Sequence, residues 1–381
     1  MKIGIAPDSF KGNMTALQVA TRIEKGLRKA LGDITVVKVP MADGGDGTAK
    51  TIVDATGGRM VRRTVSGPLG KPVRASFGLS GDGHTAVIEM AEASGLALLR
   101  PSQRNPMRTT TRGTGELISH ALKLGVSHLL VGIGGSATTD GGMGMARALG
   151  VRFLDKRGRE VADNGRGLLR VASIDMTGLD PRLEDVRVEV ACDVDNPLTG
   201  LHGAAQVYGP QKGATPEMVE QLDAGLENLA DVIKRDLGKS VLKVPGSGAA
   251  GGLGAGLLAF LHGELRPGIA IVIDAVQLAK RLKGCDLVIT GEGRMDGQTA
   301  FGKTPAGVAG VAKSLGLPVI ALAGCLGPGV SKVHKIGIDA YFSTLERSIN
   351  EDEIPVVGPT MLTNCAEQVG RVIAMKGALN V

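Results

Sequence analysis

A run of apolar residues too short for a buried helix, ending in glycines and acids and then in a helix start, points to a strand of an α/β sheet with a ligand edge. The stretch Cys285-Asp-Leu-Val-Ile-Thr-Gly-Glu-Gly-Arg-Met-Asp-Gly-Gln-Thr-Ala-Phe-Gly-Lys-Thr-Pro305 has that form. Leu287–Ile289 reads as the buried strand, and residues 291–296 read as a loop that bends sharply and approaches something closely. Thr304 is expected as an N-cap and Pro305 as the first helical residue, with Ala306, Val308, Ala309, Ala312 and Leu315 forming an apolar face before Gly316. Lys303 then stands at a helix N-terminus, where free N–H groups already favour an anion. Gly297–Thr304 also matches the nucleotide-binding pattern G-x-x-x-x-G-K-T. We read the match as accidental, because residues 291–296 separate the first glycine from the strand and a proline follows the threonine.

The start of the chain repeats the β-α pattern. Ile3–Ala6 is a strand that empties into Pro7-Asp8-Ser9-Phe10-Lys11-Gly12. Thr15 and Gln18 make a capping box for a helix that stops at Gly32, and Ile34–Val39 is a second strand. Strands at 286–290, Val319–Ala323 and Tyr341–Ser343 bring the total to five, with a helix expected over Ala270–Leu282. A flavodoxin-like doubly wound parallel sheet orders five such strands 2-1-3-4-5, which makes the strands at 3–6 and 286–290 neighbours and sets the ligand crevice at their carboxyl ends. Between these halves lie strands at Val61–Val65, Val73–Leu79, Ala86–Met90, Leu129–Ile133 and Val186–Ala191, and helices over Glu116–Leu124 and after Thr215. The expected fold is therefore α/β in two domains. Residues 1–60 with 265–381 form the flavodoxin-like sheet, and 61–264 form an inserted second α/β domain.

Composition narrows the partners. A chain of 381 residues with net charge +6 mildly favours anionic small molecules. Its dispersed basic residues, two Tyr, six Phe and absence of Trp argue against nucleic acid. The four cysteines, Cys192, Cys285, Cys325 and Cys365, show no C-x-x-C spacing and read as free thiols of a cytoplasmic protein. The early charge at Lys2 leaves no signal peptide visible, and the apolar stretch Ala249–Leu261 is interrupted by glycine and too short to span a membrane.

The six histidines form no ligand cluster, and no Gly-x-Ser-x-Gly elbow is present. Acids beside glycines at strand ends stand out instead: Asp8, Asp43, Asp46, Asp140, Asp193, Asp195, Glu292 and Asp296. Singly these suit ordinary turns. Together they suit phosphoryl transfer, which needs oxygen ligands for Mg²⁺, a carboxylate for the attacking hydroxyl's proton and cations along the phosphates. Gly134-Gly135-Ser136, between a strand and a helix, could give N–H groups to a triphosphate or simply make a tight turn.

Six segments resemble the bacterial glycerate kinase family, type I, in order along essentially the whole chain. They are Ala6-Pro-Asp-Ser-Phe-Lys11, Ala42-Asp-Gly-Gly-Asp-Gly-Thr48, Gly132-Ile-Gly-Gly-Ser-Ala-Thr-Thr-Asp-Gly-Gly142, Ala191-Cys-Asp-Val-Asp-Asn-Pro197, Gly209-Pro-Gln-Lys-Gly-Ala214 and Gly291-Glu-Gly-Arg-Met-Asp-Gly-Gln-Thr299. Asp46 stands where the family commonly has Glu, and Met295 where it commonly has Ile. The resemblance implies ATP-dependent phosphorylation of D-glycerate with Mg²⁺, usually at the 2-hydroxyl. Alternatives are another small hydroxy acid, the 3-hydroxyl, a flavin or nucleotide-sugar enzyme, or a non-catalytic metabolite-binding regulator. On this reading Ser9 and Lys11 or Arg294 meet the substrate, since a small acid needs a fixed cation to orient it. Asp193 is the base, with Lys11 as a second catalytic group. Asp8 or Glu292 holds Mg²⁺, and Gly134, Gly135, Ser136, Lys212 and Lys303 meet the phosphates. A homo-oligomer is left open.

Overall fold

A computed structural model describes residues 1–375. The chain divides into two compact units: Met1–Asp43 with Lys50–Gly57 and Ile269 onward, and Gly44–Ala49 with Gly58–Gly268. In chain order the strands are β1 (Lys2–Ile5), β2 (Thr35–Lys38), β3 (Arg59–Ser66), β4 (Pro72–Leu79), β5 (Thr85–Glu89), β6 (His128–Gly132), β7 (Arg152–Leu154), β8 (Ser173–Asp175), β9 (Arg187–Ala191), β10 (Glu264–Arg266), β11 (Leu287–Met295), β12 (Val319–Leu326) and β13 (Ala340–Ser343).

The first unit is built on one all-parallel sheet, ordered β13-β12-β11-β1-β2. Counted within the unit this is the 2-1-3-4-5 order of a doubly wound sheet, as the alternation of elements predicts. Its central strands β1 and β11 are largely buried, as in a parallel sheet covered on both faces. The helix Ala16–Leu31 begins with the expected capping box, Gln18 N donating to Thr15 Oγ1 and Thr15 N to Gln18 Oε1. Val19, Ala20, Ile23 and Leu27 are fully buried along one stripe of that helix. They face the sheet and the helix Ile354–Ala374. The two helices approach so closely that a Cβ on Gly26 would lie 2.2 Å from the Thr363 carbonyl oxygen.

Two expectations for this unit need correction. The single helix expected over 270–282 is two, Gly268–Ala275 and Leu278–Leu282, joined through Gln277 at φ 52. Val276 and Leu278 are both buried, yet on one straight helix they would face nearly opposite sides, so the turn between them resolves the conflict. The strand expected over 286–290 runs on to Met295, pairing with β12 as far as Met295↔Leu326. Its glycines are extended backbone in a ladder: a Cβ on Gly291 would meet the Leu322 carbonyl oxygen at 2.1 Å. The Gly-acid alternation at 291–296 is thus mostly strand, with Gly291 in the crowded position.

The second unit carries a six-stranded mixed sheet, β10-β9-β6-β5-β4-β3, and a small β7–β8 ladder. β3–β4–β5 is an antiparallel meander, whereas β5, β6, β9 and β10 run parallel. The five strands expected here are found within two residues at either end. The helix expected from Glu116 starts earlier, at Arg112. Thr215 caps the long helix Pro216–Leu237, donated to by Met218 N. The glycine-rich helix Ala249–Phe260 opens with three left-handed residues, Ala250 to Gly252. That kink lets its backbone approach the Thr138–Gly142 segment: a Cβ on Gly251 would lie 2.0 Å from the Thr138 carbonyl oxygen. Among the described residues no helix is long and apolar enough to cross a membrane.

Close helix contact in the first unit predicts opposite signs for two glycine substitutions. Gly26→Val forces the two helices apart and is expected to lower unfolding free energy by roughly 1–3 kcal/mol in urea titrations. Gly310→Ala, in the helix Thr304–Ser314 with open space around the added carbon, is expected to raise it by roughly 0.5–1 kcal/mol.

Candidate active site

In the first unit the parallel pairing of β1 with β11 continues beyond both strands' centres. Ala6 N donates to Ile289 O and Asp8 N to Gly291 O, each at 2.8 Å. This brings Asp8 and Glu292 together at the carboxyl ends of neighbouring strands, as the strand order predicts. Both carboxylates are buried, Asp8 at 7% exposure and Glu292 at 9%. Asp8 Oδ1 accepts from Ser9 N at 2.6 Å and Oδ2 from Thr304 Oγ1 at 2.7 Å; Glu292 Oε1 accepts from Thr299 Oγ1 at 2.6 Å. Burial pushes the Glu292 carboxyl up to about 7, with the charges of Asp8 and Asp296 adding to the rise and the Thr299 bond and Lys303 opposing it. Asp8 is raised too, by burial first and by Asp43, against the Thr304 and Ser9 bonds and Lys11.

A cavity of about 490 Å³ opens on this pair, and Ser9, Lys11, Arg294 and Lys303 line it with them. Lys11 is an exposed cation 3.5 Å from Asp43; Arg294 Nε lies 3.4 Å from Asp296 Oδ2. Lys303, and not Thr304, occupies the N-cap position of the following helix, because the Thr304 hydroxyl is spent on Asp8. Since β11 reaches Met295, the first glycine of the G-x-x-x-x-G-K-T string does nearly follow a strand, contrary to the sequence argument. The loop still offers no open cradle. Gln298 N donates to Asp296 Oδ1, Thr299 N to Asp296 O and Phe301 N to Gln298 O, so these N–H groups are used inside the loop.

The second unit has its own pocket of about 370 Å³ at the carboxyl ends of β6 and β9, lined by Gly134, Gly135, Ser136 and Asp193. Gly135 takes φ 69, and its carbonyl accepts from Leu96 N while Ala137 N donates to Ser94 O. The turn is thereby fixed from one side. Gly134 faces open space on the other, where a Cβ would meet nothing within 4 Å. Asp193 is exposed, with Oδ1 accepting from Gly268 N at 2.9 Å.

Asp140 and Lys212 lie beneath this turn. Asp140 is fully buried and accepts from Thr111 N, Thr111 Oγ1, Gly142 N and Gly144 N. Burial pushes it up to about 6 despite those bonds. Lys212 was expected against phosphate. At 1% exposure its Nζ reaches Thr138 O at 2.7 Å, so it braces the Gly134–Asp140 turn from behind. Burial pushes it down to about 7, with Asp140 opposing.

Some participants escaped the sequence reading. Thr299 and Thr304, which hold Glu292 and Asp8, carry no sequence signal beyond proximity to the Gly-acid run. Glu89 accepts from Gly47 N and Ala49 N and so orders the loop after Asp43, yet it sits at a strand end among many acids. Among the described residues no group of three or more His, Cys, Asp or Glu side chains could hold a metal alone. The two buried carboxylates Asp8 and Glu292 nonetheless fit a divalent cation that completes its shell with phosphate and water.

A family model described as the glycerate kinase family matches residues 3–374. The chain is 52% identical over 376 residues to a glycerate kinase of Haemophilus influenzae, covering 99% of this chain and all of that one. It is 53% identical over 345 residues to a glycerate 2-kinase of Escherichia coli, covering 91% of each. A crystal structure from Salmonella typhimurium, provisionally assigned as glycerate kinase 2, superposes with a TM-score of 0.93 at 51% identity over the full length of both chains. With the sheet order, the strand-end carboxylates and a match that runs nearly from end to end, this chain belongs to the glycerate kinase family.

Proposed function

We propose that the protein transfers the γ-phosphoryl group of ATP to D-glycerate, at the 2-hydroxyl, giving 2-phosphoglycerate and ADP. Full-length likeness to proteins named glycerate kinase and glycerate 2-kinase carries the reading. In the step, the 2-hydroxyl oxygen bonds to the γ-phosphorus, the bond from that phosphorus to the bridging oxygen of ADP breaks, and the hydroxyl proton passes to a carboxylate. Asp193 is our choice for that carboxylate, because it is exposed at the pocket that the glycine turn lines and Gly268 N orients one of its oxygens.

Lys11 or Arg294 would take the glycerate carboxylate, with Ser9 beside them; both cations reach the first unit's cavity on flexible stems. Gly134, Gly135 and Ser136 would give donors to phosphate oxygens, and Lys303 a charge at a helix N-terminus. Asp8 and Glu292 would hold Mg²⁺, which would neutralise charge on the phosphates. Lys212 is kept as a brace of the glycine turn in place of a direct phosphate contact. We infer a reducing, cytoplasmic setting from the four free thiols.

Removing the base tests the chemical step. Asp193→Asn is expected to fold normally and lose roughly 10²–10⁴-fold in kcat in an ADP-release assay, and near-parental turnover would dismiss Asp193 as the base. A second measurement concerns Glu292. Its acid form is favoured in the folded state up to about 7 against an ordinary 4.5, so folding stability falls as pH rises between these values and stays reduced above them. Glu292→Gln is therefore expected to melt above the parent at about pH 8 without divalent metal, and added Mg²⁺ should raise the parent's Tm but not the variant's.

A further inference from the structure

One short segment of the first unit, residues 299–304, is tied to both carboxylates of the buried rim. Thr299 Oγ1 donates to Glu292 Oε1 at 2.6 Å, and Thr304 Oγ1 donates to Asp8 Oδ2 at 2.7 Å. Between these two anchors lie the exposed Phe301, the left-handed Gly302 at φ 88, and Lys303, which lines the cavity with the two acids. The segment is thus a strap fastened at each end to one member of the acid pair.

Both threonines are fully buried, and each anchor is itself fixed. Thr299 N donates to Asp296 O while Asp296 N donates to Thr299 Oγ1, so the hydroxyl accepts from the loop and directs its one proton to Glu292. Thr304 opens the helix Thr304–Ser314 and is followed by Pro305, whose ring fixes the start of that helix. The branched Cβ of threonine also restricts χ1, which aims the hydroxyl. Buried threonines elsewhere in this unit donate to main-chain carbonyls, Thr290 to Ala6 O and Thr363 to Pro359 O, whereas Thr299 and Thr304 are spent on the two acids.

These bonds orient the carboxylates without saturating them. An ionised carboxylate has about four acceptor sites. Asp8 gives one to Ser9 N and one to Thr304; Glu292 gives one to Thr299, and its Oε2 takes no hydrogen bond from the described residues. Partners that fix a ligating carboxylate in this way typically govern metal affinity nearly as strongly as the ligands do.

We propose that Thr299 and Thr304 are positioning residues of the kinase: their hydroxyls orient Glu292 and Asp8 toward Mg²⁺, and the strap between them holds Lys303 at the same rim for the phosphates of ATP. The assignment deepens the kinase reading and rests on the metal role given there to Asp8 and Glu292.

Mg²⁺ titrated calorimetrically into the full chain, without nucleotide or glycerate, is the test, on the parent, Thr299→Val, Thr304→Val, Thr299→Ser and Thr304→Ser. Valine keeps the shape of threonine and removes the hydroxyl, whereas serine keeps the hydroxyl. Each valine variant is expected to bind Mg²⁺ roughly 10–100-fold more weakly, and each serine variant within about threefold of the parent. In ADP-release assays the valine variants should lose kcat and raise KM for ATP while KM for glycerate stays within about twofold, a split that a generally loosened fold does not give. Gly26→Val, destabilised at a helix contact away from the rim, should keep the parent's Mg²⁺ affinity. Parental Mg²⁺ affinity in folded valine variants overturns the assignment, as does equal weakening in Gly26→Val or in the serine variants. Two substituted positions keep the test decisive if one valine variant fails to fold. A parent that binds no Mg²⁺ overturns the assignment together with the metal role, whereas a parent that shows the full Mg²⁺ pattern yet releases no ADP with glycerate undoes the glycerate reading alone.

Discussion

The first unit depends on one strand pairing, that of β1 with β11. It joins segments 284 residues apart and is continued by Thr290 Oγ1 donating to Ala6 O and by Asp8 N donating to Gly291 O. Closing so long a loop costs entropy that grows only slowly with its length, so a large insertion between paired strands is tolerable where the paired strands are apolar. Ile3, Ile5 and Ile289 are fully buried and Leu287 nearly so. Their burial, at about 1.5–3 kcal/mol for each large side chain, is what holds the two halves in register.

That register has an electrostatic cost with a chemical use. It seats two carboxylates side by side in a buried rim where desolvation outweighs the hydrogen bonds that Thr299 and Thr304 supply. Other carboxylates in this protein are better supplied with donors, even where burial raises them too, as at Asp140. Asp140, equally buried, is given four donors and serves as the hub of a turn. Asp180 and Asp236, at the surface, are held below their ordinary range by Arg182 and Arg235. Asp8 and Glu292 lack such provision, which is the usual mark of groups arranged for a ligand.

Much of the fold could be read in the chain. The capping box at Thr15, the short apolar runs and the glycine stops sufficed for the strand count and for the 2-1-3-4-5 order, because each is local chemistry with a period of its own. Errors arose where tertiary contact overrode local pattern. Gly291 looks like a loop residue, yet it pairs with Leu322 of β12 and glycine is what that close approach demands. Val276 and Leu278 look like one helix until their burial on opposing sides requires the turn at Gln277. Lys212 looks like a phosphate ligand by its basic head and glycine neighbours, and only packing shows that the head is enclosed against Thr138.

Family membership, the strand order and the set of acids and cations available for chemistry were determined by the sequence alone, since they follow from residue type, spacing and apolar period. Which of those residues are paired, enclosed or left exposed was decided by the tertiary structure. Burial and hydrogen-bond supply depend on neighbours brought in from distant parts of the chain, as Thr304 is brought to Asp8 and Thr363 to Gly26, and no local pattern encodes those encounters.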